Sequence, residues 1–596
     1  MRTRSMLTTI LVAGLALATL LAGCCGKDEE KQAALAPGGD PAYLELIPAE
    51  TPYVMAAYAR MPQDVVEAMF VKFGPVYDKS LETWAAQIAA AQLARSAQAA
   101  AVATDPNAPA PPPSIEDIGL KVVSALLDEL KGNFSVAGFA KLGLSTQPLF
   151  AVYGIGVLPA IRLELKDPAL FNAMIDRVQA KSGVTLDKGE VGGQAYRTFT
   201  YEEAKIAFAT QGNELLVTAG NDAALAAVLP VLFGQQKPEK SLAASGALKK
   251  LMDDYGFKPY VLGYVDTKIV AATLMGDGQG LNAKVLATLG AEIPPLSPVC
   301  KTEINGLVDN APRAVLGYDE LTASSMTVRA IVELKPELAT ALKDLRAPVA
   351  GLSEQVEGTP LIALGLGLDV QKVMEFAKGK AAAVGAAPYQ CELLAELNNT
   401  ASEIAGSLAS PQIPPVVTTL KGFNLYIQDG SLEGGAPKDL KAVATVGTAN
   451  PMVIVAMAQG MIPDLATLKI DASGTPAPLP PIASVPLLAG AQVAVKDTTL
   501  ALSVGEGMGA KLTQLVDAKP AADAPLLVVA YDAGSFMQKM ASVTDALGGA
   551  MPPEAKAEFD RSMALNAELS KLMGMSVNSV LLGDRGITFK QKVAIK

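Results

Sequence analysis

The chain has 596 residues, half of them hydrophobic, with 60 acidic against 49 basic side chains, a formal net charge of -11 and no histidine. That length and apolar content supply a sizeable core and roughly two to four domains, which excludes a disordered stalk. Scattered Lys and Arg exclude the concentrated basic surface that nucleic acid needs. Without histidine, no Ser-His-Asp or Cys-His arrangement, HExxH zinc helix or His-ligated haem can be assembled. The GxSxG elbow, a SxxK pair, the GxxxxGK phosphate loop and CxxC are also missing. Carboxylate-only chemistry survives, yet one tryptophan, Trp84, and few other aromatics give little material for sugar platforms. The expectation is therefore a protein that is not an enzyme and needs no cofactor or metal.

At the amino terminus, Arg2 and Arg4 precede an apolar run from Met6 to Leu21, and Leu21-Ala22-Gly23-Cys24 closes it. The run is short of the roughly 20 residues of a membrane span, and small residues ahead of a cysteine follow at once. This is a lipobox, and the leader resembles that of the bacterial lipoprotein class. The resemblance implies a diacylglycerol thioether on the Cys24 sulfur, cleavage before Cys24 and acylation of the new amino terminus. Several acyl chains, each adding about 0.8 kcal/mol per buried methylene, hold where a single chain would be marginal. Cys25 rather than Asp comes next, which in this class implies the outer membrane of a cell that has two. Residues 1–23 are then a signal peptide. Residues 24–41, with Lys27, Asp28, Glu29, Glu30, Lys31 and Gly38-Gly39, are a lipidated cysteine and flexible tether.

The body reads as an amino-terminal lobe, 42–300, with an Ala/Pro-rich insertion at 96–113, and a carboxyl-terminal lobe, 301–596, with a Pro-rich break at 473–486. Ile161, Leu163 and Leu165 alternate with Arg162, Glu164 and Lys166 as a half-buried strand does, and Asp167-Pro168 then opens a helix. Its stripe is Leu170, Phe171, Met174, Ile175 and Val178. The same order recurs at Val328 to Leu334 before Pro336, and at Leu440 to Val446 before Asn450-Pro451. A second unit, a proline leading a short apolar strand, recurs at Pro52, Pro259, Pro360 and Pro525. Asp266, Asp369 and Asp532 close three of these strands. One carboxylate per unit suits helix N-capping better than metal binding, which needs several converging oxygens.

Gly505-Glu506-Gly507-Met508-Gly509-Ala510-Lys511 lies between a strand-like and a helix-like run and lacks the spacing of a nucleotide loop. It reads as a strand-to-helix turn, as does Leu215 to Gly220 before Asn221-Asp222; Gly276 to Gly280 reads as a helix stop. The 20 methionines are dispersed, which fits core filling better than copper ligation. Pro552-Pro553 open a long final helix, and a hairpin turning at Gly583 to Gly586 closes the chain, guarded by Lys590, Lys592 and Lys596. Strand pairs followed by helices predict an α+β fold of antiparallel sheets with amphipathic helices on one face. Duplicated strand-strand-helix modules would build it, in two related lobes.

With Cys24 lipidated and Cys25 beside it, Cys300 and Cys391 remain in the body. In an oxidising compartment they can form a disulfide; two buried thiols are the alternative. The segments Ile47 to Tyr53 and Tyr153 to Leu165 resemble an uncharacterised group of large bacterial envelope proteins, which brings no activity to any residue here. The expectation is a lipid-anchored cell-envelope protein that is structural or binds another envelope protein. The alternative is a carrier or sensor of a lipid or other apolar ligand, suggested by the positive mean hydropathy.

Overall fold

The computed structural model describes residues 41–102, 115–201, 204–290, 296–409, 414–433, 436–521, 523–539 and 553–596. It is α+β. The chain forms two compact units, Met1–Pro295 with Val315–Ala323, and Leu296–Ala314 with Ser324–Lys596. The division thus lies between 295 and 296 rather than 300 and 301, and a later strand segment belongs to the first unit.

The first unit contains β1 (Tyr53–Ala56), β2 (Phe150–Ile155), β3 (Leu158–Glu164), β4 (Asp187–Val191), β5 (Gln194–Tyr201), β6 (Ala204–Gln211), β7 (Glu214–Gly220) and β8 (Leu262–Asp266). They pair antiparallel in the order β8-β1-β2-β3-β7-β6-β5-β4. Most of β9 (Arg313–Leu321) also lies in this unit, and its Tyr318 carbonyl accepts from the Lys258 N–H at 2.7 Å. Helices α1 (Gln63–Val102) and α2 (Ile115–Leu130) stand between β1 and β2, α3 (Pro168–Ser182) follows β3, and α4 (Asp222–Leu232) follows β7.

Helix α3 begins where the sequence predicts. The Asp167 carboxylate accepts from the N–H groups of Ala169 and Leu170 at 2.8 and 3.1 Å, Pro168 takes the first helical position, and Gly183 ends the helix at φ +68°. Phe171, Met174 and Val178 pack with Phe150, Leu163, Leu165 and Leu215, whereas Leu170 stays exposed.

The neighbouring position overturns one expectation. Arg162 is 1% exposed, although the alternation places it on a solvent face. Adjacent strand residues point to opposite faces, so Leu163 meets α3 while Arg162 reaches α4, where it donates to the Leu232 carbonyl. It also donates to Glu214 at 2.6 Å, and the buried Tyr153 hydroxyl lies against its guanidinium without an aligned hydrogen bond. Helices therefore cover both faces of this sheet, not one.

The second unit contains β10 (Ser325–Glu333), β11 (Ile362–Gly367), β12 (Leu420–Glu433), β13 (Ala436–Thr448), β14 (Ala477–Pro478), β15 (Gln492–Lys496), β16 (Thr499–Val504), β17 (Leu527–Asp532), β18 (Met573–Gly583) and β19 (Gly586–Ile595). Their antiparallel order is β14-β15-β16-β13-β12-β11-β17-β18-β19-β10. Helix α5 (Pro298–Val308) opens the unit, α6 (Val370–Ala386) and α7 (Ala395–Ala409) stand between β11 and β12, α8 (Pro451–Met461) follows β13, and α9 (Met508–Asp517) follows β16.

Two-sided burial recurs here. The cross-strand pair Ala494 and Ala501 packs with Val443 against Met508, Leu512, Leu515 and Val516 of α9. The flanking pairs Val493 with Leu502 and Val495 with Leu500 face the other way, toward Val455 of α8. The Pro-rich stretch 473–486, expected as a break within the carboxyl-terminal lobe, supplies β14, paired to β15, and buries Ile482. Of the insertion at 96–113, residues 96–102 continue α1 and the rest lie outside the described residues.

The four proline-led strands pair two by two, β1 with β8 and β11 with β17. The Pro52 carbonyl accepts from Asp266 N–H at 2.8 Å, and the Pro360 carbonyl from Asp532 N–H at 3.0 Å. More broadly, the run β8-β1-β2-β3-β7-β6 and the run β17-β11-β12-β13-β16-β15 share one pairing order, with helices at the same points.

Two-sided burial sets unequal costs for two arginines of the first unit. Arg162→Ala should destabilise it by about 3 kcal/mol, because it removes the partner of a buried polar cluster. Arg197→Ala, which breaks a surface pair with Asp176, should cost under about 1 kcal/mol. Urea unfolding checks this, and equal costs would contradict burial of the Arg162 face.

Candidate interaction surface

Helices α6 and α7 form an arm of the second unit that buries little of itself. Ala381 and Ala401 are its only buried helical positions among the described residues. Small residues let the two helices approach closely, and most of their remaining surface faces solvent. An exposed helix pair with so small a shared core needs fastening at its ends.

The start of α6 is held by Asp369. Its carboxylate accepts from the Lys372 N–H at 3.3 Å and from Lys421 Nζ at 2.6 Å. Burial alone would raise this carboxyl's pKa, but the Lys421 contact and the Lys372 amide outweigh burial and hold it below the usual range. The Lys372 ammonium donates to the Asp344 carbonyl at 3.0 Å.

The connection between α6 and α7 is held by a disulfide. Cys300, on α5, is bonded to Cys391. Three residues along α5, Glu303 accepts from the N–H of Gln390 through one carboxylate oxygen and from that of Cys391 through the other, both at 2.9 Å. Tyr389 and Asn398 close the same turn reciprocally, each bond at 2.9 Å. Val299, Leu393 and Leu397 are exposed, the first two beside or near the bonded cysteines. The fastened arm thus leaves Leu397 exposed on α7 and Leu393 exposed in the turn before it, while Val299 is exposed on α5 beside the bonded Cys300.

The other predicted site residues take structural roles. Asp266 accepts from the Ile269 N–H at 3.0 Å, and Asp532 accepts from the Ser535 N–H and hydroxyl at 2.8 and 2.9 Å. Burial pushes the Asp532 carboxyl up, but the Ser535 bonds and nearby Lys596 leave it below its ordinary value. In the Gly505–Lys511 turn, a Cβ on Gly505 would come within 2.3 Å of the Leu440 carbonyl oxygen. Lys511 is engaged by Glu357 at 3.1 Å and sits 5.2 Å from the Tyr426 ring centroid, so the turn joins β16 to α9 rather than cradling phosphate. Among the described residues, no three Cys, Asp or Glu side chains gather as a metal site requires. Cys24 and Cys25 lie outside the described residues.

Sequence reasoning weighed the cysteine pair but missed Glu303, Val299, Leu393 and Leu397. The available signal was spacing: Glu303 is three residues from Cys300 and shares its helix face.

Replacing both Cys300 and Cys391 by Ser should destabilise the second unit by about 2–4 kcal/mol, with faster hydrogen exchange at the backbone amides of positions 390 and 391. Unchanged exchange would contradict the clamp. A pH dependence follows from Asp369. Because its folded pKa is depressed, the native state binds fewer protons, and stability rises with pH across the acid range. The contribution is full above the unfolded value of about 4 and disappears as pH falls through the folded value. The urea-midpoint gap between the wild type and Asp369→Asn should therefore close on acidification. No family model matches the chain, and neither a characterised protein nor a solved structure does.

Proposed function

We propose that this is a non-enzymatic lipoprotein of the cell envelope, moored through acyl chains on Cys24, whose folded units serve as a structural or protein-binding module. The carrying observation is the Leu21-Ala22-Gly23-Cys24 tetrapeptide at the end of a basic and then apolar leader. The Cys300–Cys391 disulfide supports export, since such bonds persist in oxidising compartments. Among the described residues no helix is long and apolar enough to cross a membrane. Attachment through the lipidated cysteine needs none. Cys25 in place of Asp supports an outer-membrane address.

The fastened arm supports a binding role. A partner meeting α6, α7 and the turn between them encounters a surface already fastened at both ends, with Leu393 and Leu397 exposed, so little conformational freedom is lost on association. The shared pairing order of the two units supports their origin by duplication. Both units would then have been kept as scaffolds, with the helical insertions between β1 and β2 and between β11 and β12 as the parts that differ.

Metabolic labelling with a clickable fatty acid tests the mooring. The wild type should be tagged and should sediment with membranes, whereas Cys24→Ser should lose the tag and most membrane association. An untagged wild type, or a variant that fractionates unchanged, would overturn the proposal.

A further inference from the structure

Helix α8 is apolar on every side. It reads Pro-Met-Val-Ile-Val-Ala-Met-Ala-Gln-Gly-Met, and no charged residue occurs between Lys441 and Asp464. One face is accounted for: Val455 is buried with Leu468, Val493 and Val495. Gln459, its only polar side chain besides the backbone, is turned to the Leu468 carbonyl at 2.8 Å. The outward face leaves Met452 39%, Val453 49%, Met457 41% and Met461 78% exposed. Val453, Met457 and Met461 fall at successive four-residue intervals, so they line one stripe. Val485, 40% exposed, is two residues from Ala483, whose N–H is held by Asp464 in the turn that follows this helix.

A helix that is hydrophobic all round belongs in a protein core or in lipid. Large apolar side chains exposed side by side on one helix face are a candidate interaction site. We propose that the outward face of α8 seats in the interfacial layer of a phospholipid bilayer, as a second, non-covalent membrane contact of the tethered body. The proposal rests on Cys24 as the mooring, because acyl chains there keep the body at a bilayer and raise its effective concentration against it.

Charge selects lipid over a second copy of this chain. Two copies would each bring a net negative charge to their contact, larger still once Arg2 and Arg4 leave with the leader, which opposes association. A zwitterionic phospholipid surface brings none. An uncharged helix face is also where an acidic body meets lipid with the least desolvation of charge. The methionines suit this occupant, since their unbranched, flexible side chains adapt to mobile acyl chains.

The test places one tryptophan on α8. Met457→Trp in a Trp84→Phe background, as the full acylated chain, is bound to phosphatidylethanolamine and phosphatidylcholine vesicles with or without brominated acyl chains. Brominated lipid should quench this fluorescence at least about twofold, as insertion to acyl depth requires. Leu393→Trp in the same background, on the α6–α7 arm, should stay unquenched. Met457→Asp with Val453→Asp should reduce vesicle-induced protection of Met461 from oxidation. A chain that floats with vesicles while its α8 tryptophan is unquenched overturns the proposal and leaves the mooring standing. Self-association without quenching also overturns it, in favour of a second copy. If Cys24 carries no acyl chain the mooring fails, and quenching of the same chain added to vesicles still decides the α8 contact.

Discussion

Each unit of this protein is organised by one constraint: its antiparallel sheet must be covered on both faces. In the second unit the constraint is met with apolar residues in both registers of β15, Ala494 toward α9 and Val493 with Val495 toward α8. In the first unit it falls on an arginine. Arg162 is enclosed because α4 lies over its face, and burial is tolerated because Glu214 and the Leu232 carbonyl accept hydrogen bonds from its two terminal nitrogens. A buried guanidinium without such acceptors would be strongly destabilising. Antiparallel sheets often leave one face to water, so the second helical layer decides which residues are core.

The candidate interaction surface is separate from that packed core. The helical arm of the second unit projects from between β11 and β12, and its order comes from fastenings instead of bulk burial: Asp369 with Lys421 at one end, the disulfide and the Glu303 carboxylate at the other. Fastening of this kind holds an exposed surface in one conformation, which is what a recognition element needs. The outward face of helix α8 has the opposite character, uncharged and made of Met and Val side chains, and suits a fluid partner. A body moored by lipid would use one surface for the bilayer and another for protein.

Much of the fold was legible in the residues. The Asp167-Pro168 start of α3, the proline-led strands and the carboxylates capping the helices after them are local signals, fixed by backbone chemistry within a few positions. What sequence could not convey was what lies across from a strand. Arg162, Glu164 and Lys166 alternate with apolar neighbours whether the polar side meets water or a second layer, so the burial of Arg162 was invisible. The stretch 473–486 misled for a related reason: its prolines suit a linker, but they equally suit a short edge strand, and β14 pairs with β15 there. Of the candidate interaction surface, the cysteines were visible because their chemistry is distinctive. Leu393 and Leu397 were not, since their exposure depends on how much of the arm the fold leaves uncovered.

Mooring at a bilayer depends on what becomes of the amino terminus after synthesis. Intact-mass analysis of the chain extracted from membranes reads this directly. It should give a protein that begins at Cys24, heavier by a diacylglyceryl group and an amide-linked acyl chain, and lighter by the two hydrogens of one disulfide. A mass corresponding to an unmodified chain still beginning at Met1 would contradict it.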